Sequence, residues 1–422
     1  MDLQIRLSDE ERAMLAGEVG PATQLAASIL RRMAPIYGAT SLLPVSRAHI
    51  DGVIYTGRAG LHFAEHLADL GGKVAVVTTL NVGSVDRERW RNLGQAPEFA
   101  AAARRLGEAY LRMGAQPTFT CAPYQQGHAP AFGEQIAWSE SNAVAYANSI
   151  LGARTNRYGD YLDICCAITG RVPAAGLHLD ENRRATCLIT LQDVPEHLQG
   201  RDDFYPVLGY ALGERVPGEV AAVAGLSTQP TTDQLKALCA AAASSGDVAL
   251  LHLIGVTPEA PTQAAAFGNR PPARTLTLSR DDLRAARRAL SSAAGDDVDV
   301  VAFGSPHCSL GECRQLAALM QGQRAAPGVQ VFVTTSRAVR QILARNGDLA
   351  VLEAFGAEVT ADTCIVVAPL VKPGARVLMT NSAKYAHYGP GLLGVGSVFG
   401  SAEECVESAV RGRVVRDESA WN

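Results

Sequence analysis

Val298-Asp299-Val300-Val301-Ala302-Phe303-Gly304-Ser305-Pro306-His307-Cys308-Ser309-Leu310-Gly311-Glu312 decides how the chain is read. Residues 298–303 form a valine-rich apolar run of strand length. Gly304 and Pro306 then break the run. Ser309 followed three residues later by Glu312 is a capping box, so a helix starts there. Strand, turn and capped helix in that order open a crossover connection. The pattern repeats downstream: 329–334, 364–369 and 376–380 read as strands, with helical segments at 309–321, 336–346 and 349–355. Strands alternating with helices specify an α/β fold with a parallel sheet, and ligands gather at the carboxyl ends of such strands.

The same stretch carries the first candidate chemistry. Cys308 precedes a helix N-terminus, where the dipole favours thiolate, the form that binds metal. His307 beside it can ligate, donate a proton or cap the helix.

Upstream, Ser8 and Glu11 make another capping box, and Gly20-Pro21 marks a break in the early helical pattern. Residues 50–55 and 74–80 read as strands, with a helix over 61–70 between them. Residues 134–151 and 158–169 read as helices, the second stopping at Gly170, and 248–256 reads as a buried strand. Gly268-Asn269-Arg270-Pro271-Pro272-Ala273 is the clearest linker-like stretch. These divisions suggest three α/β domains, over 1–115, 116–290 and 291–422.

Composition narrows the function. The chain has 422 residues, 47% hydrophobic and 19% charged, with a net charge of −4. That is a globular balance, and it lacks the basic footprint of a nucleic-acid partner. No apolar run reaches the roughly 18 residues of a membrane span. Asp2 and Arg6 open the chain and no signal-type apolar core follows, so a cytoplasmic location is expected. The nine cysteines do not read as a disulfide framework, which leaves thiols for metal or catalysis.

Six more segments offer functional groups. Cys121 lies in Thr120-Cys121-Ala122-Pro123-Tyr124, ahead of a Pro-bounded turn, and Cys364 in Asp362-Thr363-Cys364, opening an apolar run. Gly152-Ala153-Arg154-Thr155-Asn156-Arg157 brings two arginines to an expected helix start, where Thr155 or Asn156 would cap and backbone N–H groups would hold an anion. Asn381-Ser382-Ala383-Lys384-Tyr385-Ala386-His387-Tyr388 follows the last strand and is dense in proton carriers. His49-Ile50-Asp51-Gly52 and Thr78-Thr79-Leu80-Asn81 could add hydroxyl and amide groups.

Taken in order, these segments resemble the large subunit of aconitase X, and the resemblance covers nearly the whole chain. It implies a multi-domain aconitase-like large subunit and an iron–sulfur cluster, with mononuclear iron as the alternative. It maps the metal ligands onto Cys121, Cys364 and the 304–310 turn, where Ser305 and Cys308 are both candidates. It also implies a small swivelling-domain subunit, expected as a separate chain.

The activity implied is loss of water from a small hydroxy acid. Thr155-Asn156-Arg157-Tyr158-Gly159-Asp160 is similar to the cis-3-hydroxy-L-proline type; mevalonate 5-phosphate is the other substrate in the family. Arg154, Thr155, Asn156 and Arg157 would hold the substrate carboxylate, with Asn81, Thr79 and Gly52 nearby. Lys384, Tyr388 and His307 are the chain's candidate acid–base groups, and a serine of the small subunit competes with them as base. The expectation of a different class is a non-catalytic binding or scaffold subunit of the same fold.

Overall fold

The computed structural model describes residues 5–421; of the opening stretch read above for a signal, 1–4 lie outside it. The chain divides into two compact units, Met1–Arg184 and Ala185–Asn422.

In the first unit, Ser8 caps the helix Asp9–Ala16 through the expected box with Glu11, and Pro21 opens the next helix, Pro21–Met33. A three-stranded parallel sheet has Arg47–Ile50 at its centre, between Val77–Leu80 and Ile136–Trp138. Helices Arg58–Asp69, Pro97–Arg112 and Leu162–Thr169 supply Leu61, Leu67, Leu106, Tyr110 and Ile164 to its core. Each such side chain removed from water contributes roughly 1.5–3 kcal/mol.

Two helical expectations change here. Residues 134–151 begin with the strand Ile136–Trp138, and only Ser141–Tyr146 is α-helical, capped by the Glu140 side chain. A short, fully buried apolar run has no periodicity that separates strand from helix; pairing with Arg47–Ile50 decides it. The helix expected from 158 starts at Leu162. Tyr158 is held instead by His178, its hydroxyl 2.6 Å from Nε2. The division expected at 115/116 falls inside this unit, because Ile136–Trp138 belongs to its sheet.

The second unit contains two parallel sheets. One has the order Leu251–Leu253, Ala221–Ala224, Cys187–Gln192, Arg274–Ser279. Residues 268–273, read as a linker, lead straight into Arg274–Ser279, which pairs with Cys187–Gln192, so they are a connection within this sheet. The other has the order Ala357–Ala361, Gln330–Thr335, Val300–Cys308, Val377–Thr380, Gly396–Phe399. Helix Leu310–Met320, capped by the Ser309–Glu312 box, carries the chain from Val300–Cys308 to Gln330–Thr335, as the opening stretch required. Phe303, Leu316, Val333, Leu352 and Met379 fill the core beside that sheet.

Residues 364–369 are not a strand. The strand is Ala357–Ala361, after which Asp362 takes φ 65° and turns the chain away. The carboxylate of Asp362 is clasped by Arg337, so an ion pair supports a backbone conformation that a non-glycine residue rarely adopts. Cys364 therefore follows a strand rather than opening one. Among the described residues, no helix is long and apolar enough to cross a membrane.

Candidate active site

Both units place candidate residues at the carboxyl ends of parallel strands. In the first unit, Arg47–Ile50 runs into Asp51 and Gly52, Val77–Leu80 into Asn81, and Ile136–Trp138 into Ser139 and Glu140. These ends are laced together. Asn81 Nδ2 donates to Glu140 at 2.7 Å and also to the carboxylate of Asp51. Asp163, fully buried, accepts from the backbone N–H groups of Asp51 at 2.8 Å and Gly52 at 3.0 Å. Glu140 caps the helix that begins at Ser141, and from that helix Asn142 Nδ2 donates to the Cys121 carbonyl at 2.7 Å. The segments around 51, 81, 121 and 140 thus form one network.

The electrostatics of this edge follow from burial and crowding of like charges. Burial, then the charge of Glu140, pushes Asp51 well above the carboxylate range. Burial raises Asp163 to about 7, against the backbone hydrogen bonds that favour its charged form. His49 is lowered to about 3 by burial and stays neutral. Its Nδ1 lies 2.8 Å from Thr79 Oγ1, and the Thr79 hydroxyl donates to the Ala48 carbonyl at 3.3 Å. The hydroxyl proton being spent there, Nδ1–H is the donor to Thr79 Oγ1, and Nε2 carries a lone pair. Nε2 is buried and has no hydrogen-bond partner.

The segment expected to bind an anion is differently employed. No helix begins at Thr155 or Asn156, so neither caps one. Thr155 Oγ1 accepts from Trp138 N at 3.0 Å, and Thr155 N donates to Asn148 Oδ1 at 3.1 Å. Asn156 ties Ala175 and Leu177, and Arg154 forms an ion pair with Asp180. Arg157 is exposed.

In the second unit, the carboxyl ends of the five-stranded sheet present Ser305 and Cys308, Asp362 to Cys364, and Asn381 to Lys384. A cavity of about 530 Å³ opens here, lined by Ser305, Cys308, Asn381, Ser382, Arg201 and Lys236 among others. Gly304 makes the turn possible. It takes φ 101°, and a Cβ on it would stand 2.2 Å from the Thr334 carbonyl oxygen. Ser382 caps the helix Ala383–Tyr388, which carries Lys384, and its hydroxyl donates to the Ser305 carbonyl. Lys384 is largely buried and Tyr388 partly so, edge-on to His387. His307 Nε2 lies 3.0 Å from the Thr363 carbonyl, joining the turn to the Cys364 loop.

Cys308 departs from its expected state. Hydrogen bonding with Cys313, and then burial, pushes its thiol well above the ordinary range. Its side chain belongs to the core, and the helix dipole does not overcome that environment. Cys364 and Cys121 are buried, each just past a strand end or in the loop beside one. Among the described residues, no three His, Cys, Asp or Glu side chains converge as a metal-holding group.

Two features were missed in the sequence. Glu140 and Asp163 complete the acidic edge, and only the pairing of distant strands brings them to Asp51 and Asn81. Lys236, fully buried, donates to the His307 carbonyl at 3.3 Å and pairs with Glu312 and with Asp233, the latter at 3.1 Å. Burial alone would lower its pKa, but those two carboxylates outweigh burial and raise it. A single lysine within Leu235-Lys236-Ala237-Leu238-Cys239-Ala240-Ala241 was the available signal of a buried ion pair.

Comparison with known proteins matches nearly the whole chain. Residues 4–181 match the aconitase X first domain, 185–288 the second and 298–411 the third. A cis-3-hydroxy-L-proline dehydratase of Pseudomonas aeruginosa is 53% identical over 99% of this chain and 72% of its own length. One from Hypocrea jecorina is 45% identical over 98% of this chain and 70% of its own. The phosphomevalonate dehydratase large subunit of Methanothermobacter thermautotrophicus is 42% identical over 94% of this chain and 96% of its own. The crystal structure of the holo form of Thermococcus kodakaraensis aconitase X superposes with a TM-score of 0.85 at 36% identity, covering 96% of this chain and 100% of that one.

Proposed function

The chain belongs to the aconitase X family and is a dehydratase, and we propose that it removes water from cis-3-hydroxy-L-proline to leave a pyrroline-2-carboxylate. The observation that carries this reading is the 53% identity over 99% of the chain with a dehydratase of that substrate. Mevalonate 5-phosphate is the second reading, supported by the 42% identical relative. A phosphate ester needs a basic surround. The first unit's strand ends offer Glu140 and the carboxyl group of Asp51 instead, a lining that favours a substrate bearing a cation, whose charge would in turn favour the ionised form of Asp51.

The elimination takes a proton from the carbon bearing the carboxylate and expels hydroxide from its neighbour. An iron centre, when bound, supplies the Lewis acidity that loosens the carbon–oxygen bond. The donor chemistry fits such a centre: buried thiols at or near strand carboxyl ends are soft ligands suited to iron–sulfur ligation. Cys121, Cys364 and the Ser305 hydroxyl are the donors that the family resemblance proposes. Cys308, hydrogen-bonded to Cys313, is the alternative donor from the same turn.

Lys384, sheltered behind the Ser382 cap, is this chain's base, and His307 positions the Cys364 loop through the Thr363 carbonyl. The cytoplasm is the proposed location. Relatives named as large subunits support a small-subunit partner, here a swivelling domain that closes over the strand ends.

Anaerobic co-expression with a candidate small subunit, followed by assay of both substrates, tests the reading. Loss of water from cis-3-hydroxy-L-proline is expected; turnover of mevalonate 5-phosphate alone would overturn it. Cys364→Ala is expected to abolish both visible iron–sulfur absorbance and turnover, and a colourless variant of full rate would refute the metal role.

A further inference from the structure

The first unit's acidic edge holds buried acceptors that the fold leaves without a donor. Asn81 is fully buried, and its amide nitrogen donates to both Asp51 and Glu140. That fixes the amide's orientation and leaves Oδ1 as a buried acceptor with no partner. On the neighbouring strand, His49 Nε2 is a second buried acceptor without a partner, and the charge of Glu140 acts on its ring. Glu140 and Asp163 are buried, while Asp51 is only partly so, which leaves the edge open to a ligand on its Asp51 side. Two carboxyl groups flanking an unspent carbonyl oxygen suit a cation that brings its own N–H donors and whose charge favours the ionised form of Asp51, which burial and Glu140 otherwise disfavour.

A secondary ammonium meets that demand, with one positive charge and two N–H groups. We propose that Asn81 Oδ1 and the carboxylates of Asp51 and Glu140 form a subsite for the ring ammonium of the substrate. This rests on the reading that the substrate is a hydroxyproline. The subsite would do more than anchor. Held protonated between carboxylates, the ring nitrogen withdraws electrons from the adjacent carbon and makes that carbon's proton easier to remove. It would also select the amino-acid substrate over a nitrogen-free hydroxy acid.

The test uses the holoenzyme with its small subunit and two competitors of one shape, L-proline and tetrahydrofuran-2-carboxylate, which has oxygen where proline has NH₂⁺. Binding is measured by calorimetry and by competition against cis-3-hydroxy-L-proline turnover. L-Proline is expected to bind at least about tenfold more tightly than the oxygen analogue, as for a charge-assisted hydrogen bond. In Glu140→Gln and Asp51→Asn the affinity for L-proline should fall while that for the oxygen analogue holds.

Equal binding of the two competitors, failure of L-proline to bind at millimolar concentration, or discrimination that survives in both variants would overturn the subsite. The wild-type comparison stands even if a variant fails to fold. Turnover of hydroxyproline without discrimination removes the subsite and leaves the substrate reading intact. Turnover of mevalonate 5-phosphate alone removes both.

Discussion

Gly304 shows how much a single residue can fix. Its φ of 101° and the 2.2 Å from a built Cβ to the Thr334 carbonyl leave no room for any other side chain. Gly304→Ala is expected to cost about 3 kcal/mol or more in urea unfolding, from strain and overpacking together. At this scale the sequence marked positions better than states. Ser305, Cys308 and Lys384 do lie at or just past strand carboxyl ends, as the alternation of strands and helices implied, whereas Cys364, expected to open a strand, follows one. The thiol of Cys308 is raised rather than lowered, because its partner Cys313 and the core around it are set by packing that local sequence does not show. Histidines give a pH prediction. His178, its Nδ1 2.6 Å from Gln135 Oε1 and its Nε2 at Tyr158, is lowered to about 3 by burial, as His49 is. The unfolded chain takes up these protons near the ordinary histidine pKa of about 6.5, so their stabilisation is present above that pH and lost as pH falls toward 3. Asp163 works oppositely: raised to about 7, it contributes stability below the ordinary carboxylate range that is lost as pH rises through 7. His178→Gln should therefore move the pH of maximum thermal stability downward, measured by calorimetric scans from pH 5 to 8.

Elements were legible where capping chemistry announced them. The Ser8–Glu11 and Ser309–Glu312 boxes both start helices, because their hydrogen bonds are local and need no tertiary partner. Short buried runs were not legible in this way. Ile136–Trp138 is a strand because a neighbouring strand receives it, and residues 364–369 are a turn because Asp362 goes left-handed under the Arg337 clasp. That clasp has a consequence for the loop carrying Cys364. Arg337→Ala should leave the helix Arg337–Asn346 folded while loosening the loop, and the iron centre proposed above should then be lost to a chelator about 10–100-fold more readily. Bleaching of the visible absorbance under anaerobic conditions reads this directly, and an unchanged bleaching rate would count against it.

Two parallel sheets, one in each unit, share a device: carboxyl edges that carry polar groups and interiors that carry apolar side chains. Fold class and edge placement were readable from alternation alone. The convergence of residues 51, 81, 140 and 163 was not, since more than a hundred positions separate the first from the last and strand order alone unites them. Two units with separate cores predict heat unfolding broader than a single two-state step, with a van't Hoff enthalpy below the calorimetric one. A ratio of one by differential scanning calorimetry would show that the units unfold as a single cooperative body.

Lys236 and Glu312 have a consequence for descent. The lysine supports the His307 carbonyl, and the glutamate at once neutralises that lysine and closes the helix cap at Ser309. Loss of Glu312 leaves the buried lysine with Asp233 alone, and loss of the lysine leaves two carboxylates crowded without their cation. Across diverging lineages the two positions should be inherited as a couple, replaced together or not at all.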